Sequence, residues 1–585
     1  VPDPADTPGT PGSTPAPPPE PATSDTVKET IEAIVTAFIL AFVFRAYVVE
    51  AFVIPTGSMA PTLQGEHVRV VCQECGYRFE VEVREDNKAM VLARSRSGQP
   101  LAAVCPMCQT FNPLGPGTRV GSGDRILVQK YIYSVREPQR WDVVVFKAPH
   151  EPEVNYIKRL IGLPNEDLRI IEGRIYARST DPSAPPEAQP WHIARSGRSA
   201  DGAINATVPG ARWQPVYHSQ YIPLDYVPGS DRTRQGWRLP WRADPPSDKE
   251  WQLARTRRYR YTGDGIGIIR FDFDSQITAR DDNGWQHSIL VACNQLNEPG
   301  YPPRRSMLDY RDPIEDVRVA AAFQPDNPGL AVRLQTEGRW ALRQGAGHAA
   351  VPANAGQPVV IAAVLGADGT ARLELPDVPD PATGQPPTIL ATAQVGPCVP
   401  GRARQVELWN LDQEASLWVD GHCVAAASFD LDIDQVINRP PLPNGFLPRI
   451  AIAVSGSAVS LERVEVDRNI FYQSVSQGQG PALGAVVKNG DAPPIIHPLH
   501  LGPDQFFCMG DNSPSSFDGR FWQNVDPWVL AYTMPGHTER DSHGIVPRAL
   551  MMGRAFFVYW PAMYGITPDS TVQLIPNFSD MRFIH

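Results

Sequence analysis

The sequence predicts a mostly β fold hung on one N-terminal transmembrane helix, and three observations carry that expectation. Apolar runs of strand length recur, such as "DVVVF" from Asp142 to Phe146. In the second half of the chain, alternating apolar runs are punctuated by Glu-Gly and Asp-Gly pairs, the signature of hairpin turns. Near the N-terminus lies an apolar segment of helix length.

At 585 residues the chain is too long for one core, and its length predicts about three or four domains. Hydrophobic residues make up 42% and charged residues 20%, the balance of a folded protein. Lys and Arg total 53 against 64 Asp and Glu, a net charge of -11 with no basic stripe, which argues against a nucleic-acid partner.

Residues 1–26 are rich in Pro, Ala and Thr, cannot bury a core, and read as a disordered leader. Residues 27–50 read as the transmembrane helix. From Ala33 to Phe44 they carry no charge, and Arg45 can snorkel to an interface. An amphipathic or buried helix is the competing reading. Lys28 is the sole cation before the apolar run, beside Asp25 and Glu29, so charge does not set the orientation.

Directly after this segment comes "VIPTGSMAPTL", Val53 to Leu63, with Ser58 between a glycine and a methionine. A serine hydroxyl needs a base to become nucleophilic. "YIKRLIGLP" supplies a candidate: it reads as a strand, and Lys158 sits there among apolar neighbours. Lysine is rarely buried unless paired or used, and desolvation disfavours its charged form. Lowering its pKa from near 10.4 to about 8 takes roughly 3 kcal/mol, and the neutral amine is a competent general base. A strand-edge lysine pointing to water is the alternative. Towards the C-terminus, "FFCMGDNSPSSFDGRFW" reads as an apolar strand, a Gly510-Asp511-Asn512 turn and a polar loop bearing Ser516 and the Asp518/Arg520 pair.

Taken together and in order, "FVIPTGSMAPTL", "GDRILVQKY", "RWDVVVFKAP…NYIKRLIGLP" and "MGDNSPSSFDGRFW…GIVPRALMMGRAFFVYW" resemble the sequence blocks of bacterial type I signal peptidases. The resemblance covers 30–64, 118–176 and 485–562. It implies a signal-peptidase-type β catalytic domain with a Ser/Lys dyad, Ser58 as nucleophile and Lys158 as general base, acting through an acyl-enzyme. By the same resemblance Thr56 helps form the oxyanion hole with the Ser58 N–H, Ser516 orients the lysine, and Arg159, Asp511, Asp518 and Arg520 buttress the site. The family implies signal peptides of exported preproteins as substrates, a lipid bilayer as neighbour, and a single-pass protein of the cytoplasmic membrane with its catalytic domain on the exported side. No cofactor enters the chemistry. This sequence departs from the family at Ser513-Pro514, where Arg is usual after the Asn, at Gly519 in place of Ser, and at "LPNED" in place of "LPGD".

Two insertions interrupt these blocks. "CQECGYRF…CPMCQTF" contains two CxxC pairs, Cys72/Cys75 and Cys105/Cys108, a set that suits tetrahedral structural Zn2+. It resembles a zinc ribbon, with a loop longer than the usual range of about 15–20 residues. Two disulfides, in an oxidising compartment, are the competing reading. Cys293, Cys398, Cys423 and Cys508 are scattered and read as buried thiols.

The larger insertion begins with a loop-rich linker and continues as strands. Hairpin turns are predicted at Glu337-Gly338, Asp368-Gly369 and Asp420-Gly421, and "SAVSLERVEVDRNIFY" alternates with a phase slip at Arg463. The whole resembles a concanavalin-like β-sandwich, which implies a glycan or protein ligand, or a spacer role. The expected organisation is therefore leader 1–26, helix 27–50, catalytic parts 51–71, 109–176 and 485–585, the four-cysteine zinc-ribbon-like insert 72–108, the linker 177–250 and the sandwich 251–484. Two functions compete with signal peptide cleavage: a specialised or self-cleaving processing protease, and an inactive anchored binding protein that works through the sandwich.

Overall fold

The computed structural model describes residues 23–82, 101–108, 111–114, 120–185, 189–195, 213–222, 239–253, 257–272, 315–342, 351–352, 357–380, 383–429, 431–439, 448–473, 475–476, 480–489, 492–497, 499–561, 564–565, 573–575 and 578–584. Most of the leader and Cys293 lie outside these residues. The chain divides into two compact units, Val1–Glu50 and Ala51–His585.

The first unit contains the helix Thr23–Tyr47, along which Ile34, Phe38, Leu40 and Phe42 are exposed. Among the described residues no helix is long and apolar enough to cross a membrane. Lys28, Glu29 and Glu32 charge the first turns of Thr23–Tyr47 and Arg45 its last. The apolar run between them extends roughly 18 Å at about 1.5 Å per residue, against a hydrocarbon core of about 30 Å.

The second unit is mostly β. The part that carries Lys158 centres on an antiparallel sheet in the order Arg125–Gln129, Met551–Trp560, Val143–Ala148, Glu151–Gly162, Gln505–Met509 and Ile545–Pro547. The expected strand "DVVVF" is there, buried from Val143 to Phe146, and pairs antiparallel with the lysine strand so that Val144 faces Lys158. A smaller sheet of His192–Ile193, Arg174–Ser179, Glu166–Ile171 and Leu499–Leu501 shares a core with it through Leu160, Leu168, Leu501 and Phe507.

The large insertion folds as two facing sheets. One has Val459–Arg468 and Val317–Pro325 at its centre; the other has Ala331–Arg339 and Pro358–Leu365. Val319, Phe323, Leu408 and Leu417 of the first meet Leu334, Ile361, Leu373 and Ile452 of the second in one core, which is a β-sandwich. Gln214–His218 and Trp241–Ala243, from the stretch expected to be linker, each join a sheet. Two predicted turns form as expected. Gly369 (φ 80°) closes one hairpin, and Asp420 and Gly421 (φ 51° and 80°) close another with the two left-handed residues that twisted strands favour. The phase slip at Arg463 is a bulge with φ 49°.

The turn predicted at Glu337-Gly338 does not exist. Ala331–Arg339 runs straight through it, paired with Pro358–Leu365 over its length. Gly338 serves close approach instead: a Cβ there would come within 2.9 Å of the Asn410 amide nitrogen.

A buried ionic seam ties the sandwich to the catalytic part. Glu315 accepts from Arg174 and Arg339, and Arg339 also pairs with Glu172. Burial alone would raise the Glu315 pKa, but the charge and hydrogen bonds of Arg339, then Arg174, hold it down at about 2. Breaking a buried pair from one side typically costs about 3–5 kcal/mol. Glu315→Leu is therefore expected to lower the thermal midpoint by several degrees. In the wild type, the stability contributed by this carboxylate is complete above about pH 5 and fades as pH falls towards 2. A thermal melt unchanged in Glu315→Leu would show the seam to be dispensable.

Candidate active site

Three distant segments meet at Ser58. It lies in a short 3-10 turn, Gly57–Met59, that is entirely buried. Lys158 projects from the Glu151–Gly162 strand, is 5% exposed, and its Nζ donates to Ser58 Oγ at 2.7 Å. Burial lowers the Lys158 pKa to about 8, although Asp518 pulls in the other direction. Near neutrality a useful fraction of the amine is thus unprotonated, in hydrogen-bond contact with the hydroxyl. Such a pair can remove the proton from a serine as it attacks a carbonyl.

The loop after Gln505–Met509 clamps the turn that carries Ser58. Asn512 N–H donates to Ser58 O at 3.1 Å and the Asn512 side-chain amide to Gly57 O at 3.0 Å. Gly510 makes the approach possible, because a Cβ there would lie 2.2 Å from Ser516 Oγ and 2.4 Å from Ser58 O. The Ser58 N–H donates to no acceptor among the described residues.

Two buried ion pairs hold the loop. Arg159, next to Lys158 but on the opposite face of its strand, binds Asp511 in fork geometry, at 2.9 Å from Nε and 2.5 Å from Nη2. Thr62 and Tyr472 hydroxyls donate to the same carboxylate. Arg520 grips Asp518 with two bonds of 2.8 Å, and Asp518 in turn accepts from the Gly510 N–H. Burial would raise the Asp518 pKa, but the Arg520 charge and these bonds bring it below the usual carboxylate value.

The other expected residues fall as follows. Ser516 is buried in the same loop, and its hydroxyl makes no hydrogen bond to Lys158 or to any other described group; it lies close enough to Asp518 to help hold that pKa down. Thr56 caps the nucleophile's turn from an exposed position, with no side-chain capping bond. The departures from the resembled family have local reasons. Ser513 Oγ meets Arg520 at 2.6 Å and accepts from Gln473 N–H. A side chain at Gly519 would collide with the ring of Phe507 and the carbonyls of Cys508 and Gly544. Asn165 adopts φ 58°, the conformation a glycine would take.

Sequence reasoning missed Tyr472, Gln473 and Glu82. Glu82 is 4% exposed and accepts from the Gly57 N–H at 3.1 Å. No motif marks these residues, since each reaches the site from an insertion or its exit.

Cys72, Cys75, Cys105 and Cys108 are buried, unbridged and gathered within 4.8 Å of one another, with closest pairs of 3.4 and 3.6 Å. Four thiolates around Zn2+ at about 2.3 Å would stand roughly 3.8 Å apart, so the set fits that ion. His218, Glu465 and Asp467 also cluster, but Arg318 already supplies their positive charge. Of the remaining cysteines, Cys398 and Cys508 are buried and Cys423 is half-buried.

Comparison with known proteins gives this geometry a context. The family model "Signal peptidase, peptidase S26" matches residues 27–92, 117–206 and 449–560. The resemblance is to signal peptidases. The S26 segments contain Ser58, Lys158 and the 511–520 loop, and they leave out most of the sandwich strands and Cys105 and Cys108. Signal peptidase I of Pseudomonas aeruginosa is 45% identical over 67 residues, 9% of this chain and 24% of that protein. Signal peptidase I of Rickettsia massiliae is 32% identical over 135 residues, 23% of this chain and 36% of that protein. The chain thus spans well under two thirds of the length of the curated relatives it matches. Among solved structures, a carbohydrate binding module, CBM66 from Bacillus subtilis, is 8% identical, covering 39% of this chain and 96% of that one at a TM-score of 0.20. The metal-free carbohydrate recognition domain of Emp46p is 10% identical, covering 42% and 93% at 0.22. Scores this low support no further reading.

Titration of Lys158 by its side-chain nitrogen resonance is expected to show a midpoint near 8. Asp518→Asn removes the charge that favours the ammonium and is expected to move that midpoint down. A midpoint near 10 in the wild type would mean that the amine is solvated.

Proposed function

We propose that this chain is a membrane-associated serine endopeptidase that removes signal peptides from exported preproteins. The observation that carries the reading is the buried 2.7 Å contact between Lys158 Nζ and Ser58 Oγ, set in segments that match the S26 signal peptidases. Neutral Lys158 takes the hydroxyl proton as Ser58 attacks the scissile carbonyl. The oxyanion is met by the Ser58 N–H, with the Thr56 hydroxyl as a second donor; one such donor is commonly worth about 3–4 kcal/mol. Lys158 returns its proton to the leaving amine, and water then resolves the acyl-enzyme with the same lysine as base. The chemistry needs no cofactor. Zn2+, where bound by the four cysteines, is structural. The role left to Ser516 is to support Asp518, whose charge tunes Lys158.

The helix Thr23–Tyr47, with apolar side chains exposed along it, is the element by which we place the enzyme at a lipid surface. That is where a substrate held by its own apolar leader arrives.

Cleavage of a preprotein into leader and mature chain is expected for the wild type. Ser58→Ala and Lys158→Ala should each lower the rate by at least about a thousandfold while circular dichroism is unchanged. A Lys158→Ala enzyme that still cuts at near the wild-type rate would remove the dyad mechanism, and a folded wild type that cuts no preprotein would remove the function. Deleting residues 23–47 is expected to shift the protein from the membrane to the soluble fraction after cell lysis. Unchanged partition would assign membrane binding elsewhere.

A further inference from the structure

The hairpin His67–Val71/Arg78–Glu82 connects the cysteine cluster to the catalytic turn. At its closed end, Cys72 and Cys75 form the knuckle, with the Gly76 N–H donating to Cys72 O and the Cys72 N–H to Tyr77 O. At its open end Glu82 pairs with His67, and its carboxylate takes the Gly57 N–H. The fit around Gly57 is close: a Cβ there would stand 2.6 Å from Glu82 Oε1. Gly65, just before the hairpin, packs against the same turn, with room for no side chain beside Thr56 and Gly57 N.

The register of such a hairpin decides which face each side chain takes, and a slip of one residue turns every side chain over. Val68, Val70, Phe79 and Val81 face a core that also holds the four cysteines. The polar face is less constrained, with Arg69 opposite Glu80. Cys72 and Cys75 of the knuckle, together with Cys105 and Cys108, would hold one ion, and that ion would fix the turn and with it the reach of Glu82. Glu82 then holds the N–H of the Thr56–Gly57 peptide, and Asn512 holds the carbonyl of the next peptide, Gly57–Ser58, which carries the Ser58 N–H on its opposite edge.

We propose that Glu82 is a positioning residue for the nucleophile's turn, and that Zn2+ held by the four cysteines acts on catalysis through it. The idea rests on the peptidase reading for its kinetic arm and is independent of it for its structural arm.

The test uses the full chain loaded with Zn2+. Amide hydrogen exchange is followed at Gly57–Met59, and kcat and KM are measured on a preprotein, for wild type, Glu82→Ala and Glu82→Gln, each before and after removal of Zn2+ by a chelator. Glu82→Ala is expected to speed exchange at Gly57 and to lower kcat about tenfold, the effect of one lost hydrogen bond, with KM little changed. Glu82→Gln keeps an acceptor oxygen and should restore both. Removing Zn2+ should reproduce the alanine phenotype in the wild type and add little to Glu82→Ala. Unchanged Gly57 exchange in Glu82→Ala overturns the proposal. So does a faster Glu82→Ala enzyme, which would make Glu82 an obstruction. Equal slowing of wild type and Glu82→Ala by the chelator also overturns it, since the metal would then act by another route. If no variant cuts a preprotein, the exchange measurement still decides the role of Glu82, and the peptidase reading fails separately.

Discussion

The desolvation of Lys158 is the constraint around which the site is arranged. Holding an amine at a pKa of about 8 rather than near 10.4 corresponds to roughly 3 kcal/mol of disfavoured charge, a large share of the stability of an ordinary domain, about 5–15 kcal/mol. The surroundings preserve that state by keeping their charges in matched pairs. Asp518 would stabilise the ammonium, but Arg520 opposes it, and Asp511 is occupied by Arg159. A lone carboxylate in place of either pair would return the proton to the lysine. The ion pairs are therefore as important for neutralising each other as for rigidity.

Rigidity follows from the same groups. Asp511 collects Arg159, Thr62 and Tyr472, and the adjacent Asn512 holds both carbonyls of the catalytic turn. One dipeptide thus connects the lysine strand, the serine turn and the exit of the sandwich. The sandwich is fixed twice, by the Glu315 seam and by Tyr472 and Gln473 entering the polar loop. Its attachment is integral to the site's wall.

Much of this was legible in the residues. Taken singly, a serine in a Gly-Ser-Met turn and a lysine in an apolar strand have ordinary readings. Ser58 and Lys158 were named through the resemblance of four ordered blocks to type I signal peptidases; the two CxxC pairs suggested a metal set by their own spacing. Asp-Gly turns were legible because two left-handed residues are needed there. Glu337-Gly338 misled because glycine answers two needs, positive φ and close approach, and the sequence does not say which; Asn410, far along the chain, decided it. Glu82 and Tyr472 were invisible for a related reason: their partners lie in other segments, and nothing local requires them. The N-terminal apolar run was legible as a helix, and charged residues bound it at Ala33 and Phe44.

The Met551–Trp560 strand lies in the middle of the catalytic sheet, between Arg125–Gln129 and Val143–Ala148. Arg125–Gln129 and Val143–Ala148 are made by the ribosome before the sandwich, and the strand that joins them is made after it. Until it arrives, the lysine strand belongs to one half-sheet and the chain bearing the serine to another, with the sandwich already complete between them in order of synthesis. The fold therefore has a built-in timer. A nascent copy cannot complete the sheet that carries Lys158 until Met551–Trp560 is made, after the whole of the sandwich.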